Sequence, residues 1–151
     1  MNRLETLQLL LEKEQRKRDE AQAVVRNAYA NLEQQKSQGD GLSNYRVEYC
    51  AKWAQKFQQG SSMEILRSYH GFMARLDQAI TQQQAVVAHA QRGVDSAKER
   101  LLEREIRVAT VERLIQRRRE QLARIVDRRD QKNLDEMAAR RTKPKELAGL
   151  A

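Results

Sequence analysis

An apolar residue recurs at every seventh position from Met73 to Leu122, and this repeat constrains the fold more than any other feature of the chain. The repeat consists of eight residues: Met73, Ile80, Val87, Val94, Leu101, Val108, Ile115 and Leu122. A weaker second line stays in step with it: Tyr69, Leu76, Ala90, Ala97, Val111 and Ile125. Two such lines are the a and d positions of a heptad repeat, which predicts a long helix packed in a coiled coil.

The first part of the chain, from Leu4 to Gln38, carries a weaker heptad pattern. Its two lines are Leu4, Leu11, Val25 and Leu32, and Leu7, Ala21 and Ala28. Glu14 and Arg18 interrupt these lines, but the residues around them are typical of a solvated helix face, so we predict that the helix persists. Gly39-Asp40-Gly41 predicts a break or kink, because each glycine weakens a helix by roughly 1 kcal/mol relative to alanine.

Gln58-Gln59-Gly60-Ser61 indicates the turn between the two helical segments. Ser61 and Glu64 have the spacing of a capping box, which marks the start of the second helix. The predicted elements are a helix at about 3–57 with a break near 39–41, a turn at about 58–61 and a helix at about 62–139. Pro144 prevents continuation and leaves a frayed tail. Residues 1–151 are predicted to form a single coiled-coil domain.

A short turn between two helical segments favours an antiparallel arrangement. The predicted fold class is therefore all-α: a long two-helix antiparallel coiled-coil hairpin with a C-terminal single-helix overhang. Pairing about the turn brings Tyr49 near Phe72 and Leu4 near Arg117. Because the first helix begins there, every residue beyond about Arg118 is expected to lack a partner helix.

Composition excludes several other classes of protein. One third of the residues are charged, 5% are aromatic and one is proline, which leaves too few large apolar side chains for a thick globular core. No apolar stretch approaches the ~20 residues that span a bilayer, and the N-terminus lacks the features of a signal peptide. The single cysteine, Cys50, cannot form an internal disulfide, so the cytoplasm is the expected compartment.

Residues that could support catalysis are scarce, so we predict that the chain is not an enzyme and uses no metal, cofactor or small-molecule substrate. His70 and His89 lie 19 residues apart, which on one helix places them far beyond the reach of a shared metal ion. No glycine-rich phosphate-binding loop precedes a helix. Cys50 has no histidine near it in sequence and is predicted to be an inert, partly buried thiol.

Six of the seven aromatic residues lie near the predicted turn: Tyr45, Tyr49, Trp53, Phe57, Tyr69 and Phe72. For Trp53, Phe57 and Tyr69 we predict a small core that seals the turn. Tyr45 and Phe72 fall at g positions, beside the a and d positions rather than in them. Apolar side chains there form an exposed patch of the kind that often marks a protein contact. The heptad pattern by itself leaves core and contact surface equally open for this pair.

The net charge of +8 lies mostly in the second half of the chain. Residues 1–91 contain 12 Lys and Arg against 10 Asp and Glu, whereas residues 92–145 contain 17 against 10. An acidic protein surface, anionic lipid and nucleic acid all fit such a basic segment. Arg117-Arg118-Arg119 has no interleaved aromatic residues for stacking on bases. Its alternation with Glu112, Glu120 and Asp127 is equally typical of a solvated helix face. Among possible partners, an acidic protein is favoured over nucleic acid.

Three stretches carry a resemblance to a known family. They are Tyr45-Arg-Val-Glu-Tyr49; Ser68-Tyr-His-Gly-Phe72 followed by Leu76, Ala79-Ile80 and Gln83; and Asp130-Gln-Lys-Asn-Leu-Asp-Glu-Met-Ala138 with basic residues before a proline. In their order and spacing, and in chain length and turn position, they resemble the FliJ family of small coiled-coil proteins from the bacterial flagellar type III export apparatus. The resemblance covers nearly the whole chain.

The resemblance implies a stalk similar to the central γ-subunit of rotary ATPases. Such a stalk sits within the hexameric export ATPase, contacts the transmembrane export gate protein and hands on export chaperones. It is cytoplasmic and peripherally associated with the cytoplasmic face of the inner membrane. The gate-contact surface of the family corresponds here to Gln38, Leu42, Tyr45, Tyr49, Phe72, Leu76 and Ala79. Gln83 stands where a histidine can occur in relatives.

The predicted overhang supplies the end that would enter the ATPase ring. Its basic and apolar residues are the predicted ATPase contacts: Leu122, Arg124, Ile125, Arg128, Arg129, Lys132, Leu134 and Met137. Two alternatives remain open, the corresponding stalk of virulence injectisomes and a basic coiled coil that binds nucleic acid. Retention on heparin or DNA at physiological salt would favour the second alternative.

Overall fold

The computed structural model of the chain describes residues 2–149, with their side chains as far as Thr142. It contains two long α-helices, α1 (Arg3–Gln58) and α2 (Met63–Gly149), and residues 2–149 include no β-strand. The predicted all-α class and the two long helices are confirmed. Within this part of the chain, neither helix has a stretch apolar and long enough to cross a membrane.

Polar side chains fix the start of both helices. At α1, the N–H of Glu5 donates to Asn2 Oδ1 at 2.8 Å and the N–H of Asn2 donates to Glu5 Oε2 at 3.3 Å, which is a reciprocal capping box. At α2, the N–H of Ile65 donates to Ser62 Oγ at 3.3 Å. The predicted cap at Ser61 is therefore wrong by one residue, because the backbone conformation of the turn decides which of two adjacent serines caps the helix.

The turn between the helices comprises residues 59–62. Gly60 has a φ of +91°, in the left-handed region that residues with a side chain rarely adopt. Its N–H donates to the carbonyl of Phe57 at 3.2 Å, which closes the last turn of α1. The observed turn lies one residue later than the predicted one.

Helix α1 is continuous through Gly39-Asp40-Gly41, so the predicted break near residues 39–41 is wrong. Gly39 occupies a heptad position and faces α2, where Gln83 Nε2 donates to the backbone carbonyl of Gln35 at 2.9 Å and to Gln35 Oε1 at 3.0 Å. A Cβ on Gly39 would lie 3.6 Å from Gln83 Cγ. The hydrogen bonds of Gln83 to Gln35 join α1 to α2 one helical turn before Gly39. This link between the helices opposes the intrinsic weakness of two glycines in a helix, and the sequence alone does not show it.

The bounds of α2 also differ from those predicted. The helix extends to Gly149 rather than ending near residue 139, and it includes the position of Pro144. A proline removes one N–H donor but has a φ compatible with a helix, so a single proline does not oblige the helix to end. Of the predicted frayed tail, residues 150 and 151 lie outside the described residues.

The chain divides into two compact units, which we call the turn unit (Lys17–Arg104) and the terminal unit (Met1–Arg16 and Glu105–Ala151). The centre of the turn unit is a cluster of Leu32, Ala90 and Val94, against which Ala28 and Val87 pack. Val94 is completely buried. All five residues lie at predicted a and d positions, so the heptad pattern identified the core of this unit.

In the terminal unit, burial follows the same heptad and then ceases. Val108, Val111 and Ile115 on α2 are only 4–6% exposed, and Arg118, the next heptad position, is half-buried. From residue 119 to residue 142 every side chain is exposed. The apolar repeat continues through Leu122, which is 36% exposed, so periodicity persists where burial has stopped.

Candidate protein-contact surfaces

Six rings of the turn unit form one aromatic cluster. It consists of Tyr45, Tyr49, Trp53, Phe57, Tyr69 and Phe72. The first four recur at intervals of four on α1, which places them on one face of the helix. The ring of Tyr69 on α2 lies 5.1 Å from Phe57 and 6.0 Å from Trp53. The small core predicted for these three residues is therefore present, although each of them remains half-buried.

Tyr45 and Phe72 occupy the other end of the aromatic cluster. Phe72 is half-buried and its ring lies 4.5 Å from that of Tyr49. Tyr45 lies 5.9 Å from Tyr49 and 6.3 Å from Phe72, yet remains 48% exposed. The two residues that the heptad pattern treated alike thus differ: Phe72 packs between the helices, whereas Tyr45 presents a supported ring to solvent.

The other residues predicted to contact an export gate differ in accessibility. Gln38 is exposed, and Leu42 and Ala79 are half-buried. Leu76 is only 7% exposed and belongs to the core. A partner on this side of the turn unit would therefore reach Tyr45 and Gln38 directly, while Leu76 supports the surface from beneath.

A polar network beside the aromatic cluster joins the two helices. The Arg46 guanidinium pairs with the Asp77 carboxylate, with Nη2 and Oδ2 3.4 Å apart. This hydrogen bond lowers the pKa of Asp77 and raises that of Arg46. The Tyr69 hydroxyl donates to Cys50 Sγ at 3.4 Å. This hydrogen bond is the main cause of the raised pKa of Tyr69, and burial is the second cause. Cys50 is half-buried and free, as the sequence predicted.

The second candidate surface is the part of α2 from residue 119 to residue 142, which we call the exposed end. Ile125, Leu134 and Met137 are 50–62% exposed. The predicted basic contacts Arg124, Arg128, Arg129 and Lys132 are exposed on the same segment. Val126 is 51% exposed and was missed, because it lies outside the heptad lines. In the sequence, its position next to the heptad residue Ile125 is the feature that could have identified Val126.

Among the described residues, no group of three or more His, Cys, Asp and Glu side chains could hold a metal ion. His70 and His89 are both exposed, as predicted. What the two surfaces offer is exposed aromatic, apolar and cationic side chains, which suit contact with other proteins.

A family model described as "Flagellar FliJ protein" matches residues 3–146. The chain belongs to the FliJ family. Membership of this family makes the chain a component of the flagellar export apparatus. No curated protein and no solved structure matches it.

The terminal unit of this FliJ protein also exposes apolar residues that the sequence analysis did not consider. Leu9 and Leu10 on α1 are 50% and 39% exposed, and Ile106 and Leu114 on α2 are 57% and 43% exposed. The heptad lines pass beside all four. A search of the α2 sequence for apolar residues outside the a and d positions would have identified Ile106 and Leu114.

Proposed function

We propose that this chain is the non-catalytic stalk of the flagellar type III export apparatus, linking the hexameric export ATPase to the transmembrane export gate. It would be cytoplasmic and peripherally associated with the cytoplasmic face of the inner membrane. Membership of the FliJ family supports flagellar export over an injectisome. The exposed ring of Tyr45 is the single observation that most supports a dedicated contact surface, because Tyr49 and Phe72 hold it in place without burying it.

The proposed stalk is a single coiled-coil domain folded as an antiparallel hairpin, with the exposed end as a C-terminal overhang. Contacts in the turn unit support the hairpin. Gln35 on α1 is hydrogen-bonded to Gln83 on α2. Tyr49, which lies further along α1, contacts Phe72, which lies earlier on α2. Residue numbers that rise on one helix while they fall on the other are typical of antiparallel neighbours.

The proposed export-gate surface retains all seven predicted residues, with unequal roles. Tyr45 and Gln38 would contact the gate, and Leu42, Tyr49, Phe72 and Ala79 would form the partly buried floor. Exposed aromatic side chains that are already held in place lose little conformational freedom on binding, which favours them as anchors. Leu76 would act through the packing beneath this floor.

The proposed ATPase contact is the exposed end. The ATPase would bury the apolar side chains Leu122, Ile125, Leu134 and Met137. The exposed end would be steered towards an acidic lumen of the ATPase ring by Arg124, Arg128, Arg129 and Lys132. Charges at the rim of such an interface mainly raise the association rate. The chaperones that the stalk would hand on are not assigned to either surface.

The gate contact is tested by replacing Tyr45 with alanine. We expect Tyr45→Ala to weaken binding to the cytoplasmic part of the export gate by roughly 30-fold, the equivalent of about 2 kcal/mol for an aromatic anchor. The measurement is isothermal titration calorimetry of the full chain against that part of the gate. Helix content should be unchanged because Tyr45 is half exposed.

Tyr29→Ala is the matched control, since Tyr29 is a 40% exposed tyrosine of the same unit that lies outside the aromatic cluster. Equal binding by the Tyr45→Ala and wild-type chains would contradict the gate assignment. Strong retention of the wild-type chain on DNA at physiological salt, without binding to the export ATPase, would instead support the nucleic-acid alternative.

A further inference from the structure

One side of the turn unit carries a row of uncharged residues that follows both helices. The row occupies the g positions of the heptad, so its members recur at intervals of seven on each helix. Stepping away from the turn, it forms four successive pairs, each with one residue from α1 and one from α2. The pairs are Tyr45 and Phe72, Gln38 and Ala79, Asn31 and Val86, and Val24 and Gly93. We call this row the g face.

Two contacts show that the g positions of both helices lie on the same side of the turn unit. The rings of Tyr45 and Phe72, both at g positions, lie 6.3 Å apart. On the opposite side, Lys98 Nζ lies 5.0 Å from the centre of the Tyr29 ring, and both of these residues occupy e positions. The e positions along this stretch carry charges, at Lys36, Asp77 and Lys98. The e side is therefore typical of a solvated coiled coil, and the g face is not.

The g face is accessible in a single chain. Val24, Tyr45 and Val86 are 52%, 48% and 42% exposed. Gly93 is exposed as well, and a Cβ added there would meet nothing within 4 Å. Apolar residues at g positions, in addition to a and d, give a helix a wider apolar face than a two-helix seam covers. Such a width is typical of helices that belong to a larger bundle.

We propose that the g face binds a second copy of the chain, so that two turn units form a four-helix bundle about a twofold axis. The axis crosses the helices and places each helix antiparallel to its counterpart in the other copy. This arrangement reverses the order of the four pairs. Phe72 then lies opposite the open space at Gly93 of the other copy, and Tyr45 lies opposite Val24.

The reversed order matches the residues of the g face by size and by polarity. The bulkiest pair meets the pair that contains a glycine. The amide of Gln38 lies opposite the amide of Asn31, so the two can exchange hydrogen bonds. A parallel twofold arrangement would bring the bulkiest pair onto itself. It would also bury both amides against the apolar side chains of Ala79 and Val86, where they would lack partners.

Charge also favours a second copy. Residues 24–45 and 72–93 contain four Lys and Arg against three Asp and Glu, so two such surfaces repel each other little. Charged residues beside the g face on its outer edges occur only at its two ends, at Glu20, Glu48 and Arg75. Solvent screens charges at such a rim, so they contribute little to binding.

The area of the g face suits a second copy better than a single helix of another protein. The face is about 31 Å long and, with two helices side by side, about 20 Å wide. With the relief of the side chains, a copy that covers both helices approaches the ~800 Å² per partner of a standard interface. One helix of another protein would cover about half of that area. We therefore expect a reversible dimer in the micromolar range.

The test is sedimentation equilibrium of the full chain between about 1 and 200 μM, which should show a monomer–dimer equilibrium. Val86→Glu should weaken the dimer about tenfold or more, because its carboxylate would be buried without a partner. Val47→Glu is the matched control, since Val47 is a 67% exposed valine of the same unit outside the g face. This control should leave the dimerisation constant within about twofold of wild type.

Gly93→Leu tests the reversed order of the pairs. In a single chain the new side chain enters open space, so helix content should be unchanged by circular dichroism. In the dimer it would take the space in which Phe72 of the other copy packs, and the dimer should weaken about tenfold. Gly71→Leu is the matched control, because a Cβ at Gly71 also meets nothing within 4 Å and Gly71 lies outside the g face.

Several outcomes would overturn the proposal. A chain that stays monomeric at about 200 μM would leave the g face to a helix of another protein. Equal weakening by Val86→Glu and Val47→Glu, or a dimer lost in Leu122→Ser with Ile125→Ser, would place the interface elsewhere. Unchanged dimerisation of Gly93→Leu would exclude the reversed order. Stronger binding to phosphatidylcholine vesicles than to a second copy would assign the face to a membrane.

The proposed dimer does not depend on the proposed stalk function. Tyr45 belongs to both the g face and the proposed gate surface, so a second copy and the export gate would compete for it. Val86 lies outside the gate surface. Val86→Glu should therefore bind the gate at least as well as the wild-type chain while it dimerises less, which separates a failure of one proposal from a failure of the other.

Discussion

Gly39 is the residue at which local propensity and packing disagree. Gly39 lies opposite Gln83, whose side-chain amide donates hydrogen bonds to the backbone carbonyl and to the side chain of Gln35. A Cβ at Gly39 would meet Gln83 Cγ at 3.6 Å, an ordinary van der Waals distance. We therefore expect Gly39→Ala to stabilise the chain by about 1 kcal/mol, because alanine favours the helix and restricts the unfolded state. The melting temperature should rise by about 2–4 °C.

Gly41→Ala is the control for this prediction. A Cβ at Gly41 meets nothing within 4 Å, so its gain comes from helix propensity alone and should match that of Gly39→Ala. A stabilising Gly41→Ala beside a destabilising Gly39→Ala would show that Gln83 needs the space a glycine leaves. The hydrogen bonds of Gln83 would then be the reason for the glycine.

Glu14 is a second residue where the heptad position and the side chain conflict. It is 9% exposed, and no described residue donates a hydrogen bond to its Oε2 atom. A buried carboxylate oxygen without a partner costs free energy that an apolar side chain of similar size would not. We expect Glu14→Leu to raise the free energy of unfolding by roughly 1–2 kcal/mol, measured by urea denaturation. Glu12→Leu, at an exposed position, should change it little; a loss of stability in Glu14→Leu would show that the carboxylate is paired.

Helix α2 behaves as two elements in one, since its heptad positions are buried as far as Ile115 and exposed from Leu122 onwards. A chain truncated after Glu120 loses only exposed side chains among residues 121–142. Its free energy of unfolding should therefore stay within about 0.5 kcal/mol of the full chain, as for surface changes in general. If the exposed end docks in the ATPase, the truncated chain should lose ATPase binding while it keeps the gate contact.

A full-length variant separates the chemistry of the exposed end from its length. Leu122→Ser with Ile125→Ser keeps the helix and its charges but removes two of the apolar side chains that the ATPase would bury. Binding should fall in equilibrium measurements, with a smaller change in the association rate, because the arginines remain. If the chain truncated after Glu120 bound the ATPase with wild-type affinity, the exposed end would not be the ATPase contact.

At the scale of the whole molecule, the proposed antiparallel hairpin makes a distance prediction within each unit. Spin labels at positions 28 and 93 of the turn unit should lie within about 15 Å, because facing coiled-coil helices have axes about 8–10 Å apart. Labels at Gln8 and Gln116, which line one groove of the terminal unit, should be similarly close. Dilution with unlabelled chain should leave both distances unchanged. Distances above about 40 Å, or signals lost on dilution, would indicate an extended chain or a dimer.

Sequence alone determined that the chain forms two long helices, the turn to within one residue and the core of the turn unit. It also predicted a break near residues 39–41 that is absent and an end of α2 near residue 139 that is too early. Periodicity has this power because a heptad repeat assigns each side chain to a face before any partner is known. It also located the aromatic residues and the basic second half. The family followed from the order of short stretches that periodicity does not explain.

Only the tertiary structure decided which heptad residues are buried and which residues beside them are accessible. Leu122 and Ile115 share one line of the repeat, yet only Ile115 is buried, because burial depends on neighbours and periodicity does not. Tyr45 and Phe72 share a heptad position, yet only Phe72 packs closely on Tyr49. Local propensity favoured a break at Gly39 for the same reason: it does not include the hydrogen bonds of Gln83 to Gln35, which join the two helices one turn before Gly39.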